Sequence, residues 1–142
     1  MLMITENVKG KRYKQLVDIL SKNCNRFAFV ENRQMMEIEE ERLAYIDILI
    51  ADIAGHLIER KIQREWETTK LSEDTAYVFY FNLNNATRLF LKEHSNSVFD
   101  WIGPELPEDL MFYHNDKCLF ASCSHERFFM VNETIWDSFL LK

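Results

Sequence analysis

The sequence predicts an α+β fold in which helices cover an antiparallel or mixed β-sheet with a late β-hairpin. Three observations support this prediction. Residues 11–23 repeat apolar side chains at helical spacing, residues 75–83 are rich in aromatic and β-branched side chains, and residues 110–123 have the pattern of two strands joined by a tight turn. With 142 residues, of which 47% are hydrophobic, the chain fits one domain, 1–142, with a substantial core.

The first half of the chain predicts two helices separated by a short strand. Residues 11–23 form the first helix, and the alternation of residues 26–31 (RFAFVE) predicts the strand. A long second helix is predicted over residues 35–64, where apolar side chains recur every three or four positions, at Leu43, Ile46, Ile50, Ile53 and Leu57. Gly55 within it marks either a close crossing by another element or a break.

The second half predicts four strands and two helices after a polar connection at residues 65–74. The strands are residues 75–83, 110–114, 118–123 and 128–131. The helices are residues 86–93, capped by Asn84 or Asn85, and a short amphipathic tail at 132–141. Asn115 and Asp116 tolerate positive φ and suit the tight turn of the hairpin.

The charge distribution argues against nucleic acid and membrane as partners. The net charge is −6, and residues 72–142 carry all of the excess, with 11 acidic and 5 basic residues. An acidic surface repels phosphate backbones. The one basic cluster, at residues 9–14, fits the solvated side of a helix. A protein partner, basic by charge complementarity, remains open.

The cysteines and the apolar segments predict a cytoplasmic protein. Cys24, Cys118 and Cys123 are odd in number, far apart and without a CxxC pair, which is typical of free thiols in a reducing compartment. The N-terminal residues lack the apolar run of a secretion signal. The longest apolar region, residues 43–58, contains two aspartates and one histidine and is too short for a membrane span. The oligomeric state is not indicated.

The triplet Ser124-His125-Glu126 is the first candidate for chemistry. A histidine beside an acid can serve as a base, and a serine can be its nucleophile. Adjacent strand residues point to opposite faces, however, and neither a GxSxG elbow nor a glycine-rich loop is present. The alternative, which we favour, is a histidine that ends a strand and hydrogen-bonds to the next loop.

Metal and cofactor binding are not predicted. His114, Cys118, Cys123 and His125 lie on the proposed hairpin, but the two cysteines are five positions apart and tend to face opposite sides of a strand. A zinc site there would need a distorted hairpin. Buried structural thiols are the preferred interpretation.

The proline-containing segment before the hairpin supplies the remaining candidates. Glu105, Glu108 and Asp109 can perform acid–base chemistry if their environments separate their pKa values, although a recognition role suits a loop better. Asp109 can instead accept hydrogen bonds from backbone amides at the start of the strand. Trp66 and Trp101 are beside acidic residues and fit either interface anchors or packing at the edge of the core.

The whole chain resembles a family of small, functionally uncharacterised bacterial proteins. The resemblance is carried by KRYKQLVDILSKNCNRFAFVENRQM, EWETTKL and TAYVFYF, and most strongly by FDWIGPELPEDLMFYHNDKCLFASCSHE. Glu67-Thr68 follows Trp66 where family members usually have Pro-Gly, and Leu119 or Phe120 stands where they more often have Trp. Some members are labelled stage III sporulation protein AH. That label implies a membrane-anchored ring subunit, whereas this sequence has no anchor.

The function predicted first is a non-enzymatic protein-binding module of the immunity, antitoxin or inhibitor kind, acting through an acidic surface. The predicted surface residues are Trp101, Glu105, Glu108, Asp109, His125 and Glu126. One alternative is a small enzyme that uses His125 with Glu126 or Glu108 as acid and base. Another is a small-ligand sensor that uses the aromatic surface of Tyr77, Phe79 and Phe81.

Overall fold

A seven-stranded sheet forms the centre of the computed structural model, which describes residues 1–142. The strands are β1 (Leu2–Ile4), β2 (Arg26–Asn32), β3 (Leu57–Gln63), β4 (Glu65–Trp66), β5 (Thr69–Lys70), β6 (Ala76–Asn82), β7 (Glu108–His114), β8 (Lys117–Cys123) and β9 (Phe128–Val131). Seven of them pair in the order β1-β9-β8-β7-β2-β6-β3, always antiparallel, and β4 and β5 form a separate hairpin. The predicted α+β class and the late hairpin β7–β8 are confirmed.

Four α-helices and two short 3₁₀ helices accompany the sheet. They are α1 (Lys11–Asn23), α2 (Glu39–Leu49), α3 (Asn85–His94) and α4 (Glu133–Leu140), with 3₁₀ turns at Arg33–Met35 and Ala51–His56. Three of the predicted helices are confirmed, and Asn84 caps α3 in a reciprocal arrangement with Thr87. None of the helices combines the length and the apolarity needed to cross a membrane.

The prediction of one helix over residues 35–64 is wrong. Helix α2 ends at Leu49, a 3₁₀ segment follows, and Leu57–Gln63 becomes the edge strand β3, paired with β6. The helical spacing is real, because Ile46, Ile50 and Ile53 are all buried. The backbone hydrogen bonds offered by the free edge of β6 decide the conformation beyond Gly55, where local propensity is weak.

The two faces of the sheet are covered unequally. Helices cover one face, where 28 buried residues, including Phe27 and Phe29 of β2, form the main core. The alternate residues Ala28 and Val30 belong to a second cluster of eight buried residues on the opposite face. The β4–β5 hairpin covers that cluster through Trp66. The connection at residues 65–74 was predicted to be polar, and the structure shows that it contains this hairpin.

The segment between α3 and β7 is anchored in the core rather than displayed on the surface. Trp101 is fully buried, stacks on Phe29 with ring centroids 6.1 Å apart, and donates its indole N–H to the Tyr13 hydroxyl at 2.8 Å. The prediction that Trp101 belongs to a binding surface is therefore wrong. Gly103 and Pro104, two and three residues further along the chain, line the pocket described below.

Candidate functional site

A pocket of about 500 Å³ lies between α2, the Gly103–Leu106 segment and the start of β7. Its charged lining residues are Glu31, Glu37, Glu41, Arg42, Glu108 and His125. A larger depression, of about 740 Å³, lies beside the β4–β5 hairpin, but Leu71 is its one hydrophobic lining residue. The smaller pocket is the candidate site because it contains buried ionisable groups, which mark functional positions more often than open polar depressions do.

A buried ion pair forms one wall of this pocket. Arg42 of α2 donates to both carboxylate oxygens of Glu31, at the end of β2, with distances of 2.6 Å from Nε and 3.0 Å from Nη2. The same guanidinium donates to the carbonyl oxygens of Pro104 and Leu106. Burial raises the pKa of Glu31, and Arg42 opposes that shift. Arg42 thus links α2, β2 and the Pro104 segment.

Glu108 is a buried carboxyl group with a single close protein partner. Its side chain is 9% exposed, and its close polar contact is His125 Nε2, 2.8 Å from Oε2. Burial, followed by the nearby carboxyl groups of Asp109 and Glu31, raises the pKa of Glu108 to about 8, while Arg42 lowers it. This shift favours the protonated form of the carboxyl group in the folded protein at neutral pH.

His125 lies in the turn between β8 and β9, and its side chain is 50% exposed. It contacts Glu108 rather than Glu126, which is exposed to solvent. Ser124 is buried, and its hydroxyl has no hydrogen-bond partner, so it does not hydrogen-bond to His125. The Ser-His-Glu triplet therefore does not assemble as nucleophile, base and orienting acid.

Asp109 follows Glu108 but is held quite differently. It is buried, accepts the indole N–H of Trp66 at 2.9 Å and the backbone N–H of Ser124 at 2.9 Å, and adopts a positive φ of 60°. The predicted bond from a backbone amide to Asp109 is confirmed. The prediction that Asp109 lies on a binding surface is wrong, because both carboxylate oxygens face protein donors.

The remaining predicted residues separate into exposed and buried groups. Glu105 is exposed on the Pro104 segment, and its backbone carbonyl accepts the Tyr45 hydroxyl at 2.6 Å. Trp66 packs at the edge of the core. The aromatic surface proposed for a ligand sensor does not exist, because Tyr77, Phe79 and Phe81 are all buried.

The ion-paired pocket residues Glu31 and Arg42 are among those that the sequence analysis did not single out. Glu31 ends the otherwise apolar run FAFV, and a charge at the end of a buried strand is a signal that could have singled it out. Arg42 had no comparable signal, since it lies among the charged residues of a mostly exposed helix. Only the packing of α2 against the sheet brings its guanidinium to Glu31.

No group of three or more histidine, cysteine, aspartate or glutamate side chains is arranged to hold a metal ion. Cys24, Cys118 and Cys123 are free thiols; Cys24 and Cys123 are buried and Cys118 is half-buried. Burial raises the pKa of Cys24 and of Cys118 to about 12, which disfavours the reactive thiolate. The thiols are therefore packing residues.

Comparisons of this chain with protein-family models, with curated proteins and with solved structures find no match.

Proposed function

We propose that this chain is a cytoplasmic, non-enzymatic protein-binding module that holds a basic segment of a partner against the acidic pocket, as an immunity, antitoxin or inhibitor protein does. The observation that supports the proposal best is the surplus of acid around the pocket. Four glutamates line it, against Arg42 and His125; Glu31 is paired with Arg42 and Glu108 contacts His125, so Glu37 and Glu41 carry the negative surplus. Complementary charge of this kind speeds association with a basic partner and disfavours acidic competitors.

Exposed apolar side chains beside the pocket support a protein partner rather than a dissolved ion. Met35 and Ile38 line the pocket and are 64% and 51% exposed. Ile48, further along α2, is also exposed. Protein interfaces commonly combine apolar contacts at the centre with charged groups at the rim. The side of the molecule formed by Arg33–Met35 and α2 has both components.

A capture experiment tests this proposal with two variants of equal charge. Purified wild type is compared with the rim variant Glu37→Lys/Glu41→Lys/Glu105→Lys and with the control variant Glu73→Lys/Asp74→Lys/Asp116→Lys. All six positions are exposed, so both variants are expected to fold. The readout is the set of proteins captured from a lysate of the source cell, followed by titration of the purified partner at two salt concentrations.

The expected result is a basic partner that binds wild type and the control variant, loses affinity for the rim variant and binds more weakly at high salt. Equal binding to the rim and control variants would contradict the proposed surface. Retention of nothing by any of the three folded proteins would contradict the binding-module proposal itself.

An acid–base enzyme is the second candidate, favoured by the 2.8 Å contact between His125 Nε2 and the Glu108 carboxyl group. A carboxyl group that keeps its proton at neutral pH beside an imidazole is a combination used for proton transfer. Any turnover found in the purified chain is then expected to disappear in both Glu108→Gln and His125→Ala. The exposed control Glu126→Gln should retain it, and all three variants should keep their melting temperatures near or above that of wild type.

A further inference from the structure

We propose that the pocket receives the guanidinium or ammonium group of a basic side chain from the partner, and that this group pairs with Glu108 in place of His125. The inference rests on the proposed function and names the chemical group that the pocket recognises. Three observations support it. The Glu108 carboxyl group has one close protein partner, Arg42 is already paired with Glu31, and the pocket has a suitable volume and lining.

The Glu108 carboxyl group is set up to accept a cation. Its side chain is 9% exposed, it lines the pocket, and its one close protein partner is His125 Nε2, 2.8 Å from Oε2, which leaves Oε1 without a donor. Buried carboxyl groups elsewhere in native proteins are nearly always hydrogen-bonded. The contact from His125 comes from a half-exposed side chain in a turn, so a displaced imidazole would be in solvent. A ligand cation can therefore take the place of His125.

Arg42 does not make the pocket a site for an anion. Its guanidinium already donates to Glu31 through two nitrogens and to the carbonyl oxygens of Pro104 and Leu106. An anionic ligand would have to compete with Glu31 for that guanidinium and would face the carboxyl groups of Glu37 and Glu41. The charge that the pocket leaves uncompensated is negative, which selects a cationic ligand.

The dimensions and walls of the pocket fit a long basic side chain. A volume of about 500 Å³ lies within the usual range of binding pockets, about 300–1,000 Å³. Met36, Pro104 and Leu106 provide apolar wall, and the charged groups are Glu31, Arg42, Glu108 and His125. Arginine and lysine match this combination of apolar and charged lining, because each has an apolar stem that carries a charged head.

Binding of a cation to Glu108 is expected to release a proton. Burial and the nearby carboxyl groups of Asp109 and Glu31 raise the pKa of Glu108 to about 8, and Arg42 opposes this shift. The other ionisable groups lining the pocket are His125, Glu37 and Glu41. Since only the ionised carboxyl pairs with the cation, the affinity should rise with pH by up to about tenfold per unit below pH 8 and level off above it.

The test uses two blocked tripeptides that differ only in charge. The probe is acetyl-Gly-Arg-Gly-amide, and the control is the same peptide with citrulline, which keeps the shape of arginine but is neutral. Each is titrated into ¹⁵N-labelled protein at pH 6, 7 and 8, and the amide shifts are followed by NMR. The expected result is saturable shifts of pocket amides with the arginine peptide, stronger at higher pH, and none with the citrulline peptide.

Three variants locate the interaction. Glu108→Gln should weaken binding of the arginine peptide by at least about tenfold and remove its pH dependence. Glu126→Gln is the matched control, because Glu126 is exposed and does not line the pocket, and it should bind like wild type. His125→Gln should bind at least as tightly as wild type, since the imidazole competes for the same carboxyl group.

Three results would overturn the inference. They are equal binding of the two peptides, unchanged affinity in Glu108→Gln, and no saturable shift of pocket amides in wild type at pH 8. The capture experiment with the rim variant is independent of Glu108. A partner that still discriminates rim from control variant, while the peptide fails to bind, would leave the proposed function standing and remove only the pocket assignment.

Discussion

Two neighbouring carboxyl groups at the start of β7 have opposite environments. On the side of the β4–β5 hairpin, Asp109 accepts one hydrogen bond from Trp66 and another from the backbone of Ser124. On the pocket side, Glu108 is nearly as buried, but its one close polar partner is the half-exposed His125. The difference teaches that burial alone does not assign a role. Two donors fixed by the fold make Asp109 structural, whereas Glu108, with one half-exposed partner, is the group that we propose binds a ligand.

The largest expected loss of stability comes from replacing Asp109, the carboxyl group that accepts two hydrogen bonds. Asp109→Ala leaves the Trp66 indole N–H and the Ser124 amide without acceptors and places alanine at a positive φ of 60°. Two lost acceptors at about 1–3 kcal/mol each, with backbone strain of about 1 kcal/mol, give a loss of about 4 kcal/mol in the free energy of unfolding. Urea denaturation measures it.

Asp109→Asn is the matched control for this prediction, because asparagine keeps one carbonyl acceptor and tolerates positive φ. It should cost clearly less than Asp109→Ala. If the two substitutions cost the same as the exposed change Glu105→Ala, the hydrogen bonds to Asp109 do not hold the hairpin to the sheet.

The second prediction removes the partner of Glu31, so that Glu31, like Glu108, becomes a buried carboxyl group without a cation beside it. Arg42→Ala removes the guanidinium from a carboxylate that stays buried, and breaking one side of a buried ion pair costs about 3 kcal/mol. Arg33→Ala is the control, since its partner Glu39 lies in a solvated ion pair of the same 2.6 Å length. It should change stability far less. Equal losses in thermal and urea unfolding would show that burial of Glu31 is not what makes its ion pair important.

The same contrast explains which parts of the molecule could be predicted from sequence. The alternation in residues 75–83 and the turn at Asn115 and Asp116 are local signals, and neighbouring residues decide both structures. The connection at residues 65–74 looked only polar because Trp66 finds its partner 43 positions away, at Asp109. Likewise, residues 57–63 form strand β3 because they pair with the edge of β6, which is distant in sequence. Local patterns do not encode those contacts.

The candidate site was predictable only in its residue types. The sequence offers both Glu126 and Glu108 as acidic partners for His125, and only the structure shows that the contact is with Glu108. Trp101 carried the same signals as a surface anchor, an aromatic side chain beside an acid and near prolines, but its indole N–H has a buried partner in Tyr13. The pocket is formed by contacts between residues far apart in the chain, such as Arg42 with Leu106. The spacing of residues in the sequence does not predict such contacts.

The last prediction uses pH to separate Glu108 from its neighbour. Below about pH 4.5 the carboxyl group is protonated in both the folded and the unfolded chain. As the pH rises towards 8, the unfolded chain releases this proton while the folded chain retains it, so the free energy of unfolding falls. Glu108→Gln removes this loss. We expect the variant to gain about 2 kcal/mol over wild type at pH 8 relative to pH 5, which is less than the full linkage effect because Glu108 keeps some exposure to the pocket. Thermal and urea unfolding at both pH values, with Glu126→Gln as the exposed control, measure the gain. A gain that does not depend on pH would mean that Glu108 is ionised in the folded protein at neutral pH, and the ion pair with His125 would then be the resting state of the pocket.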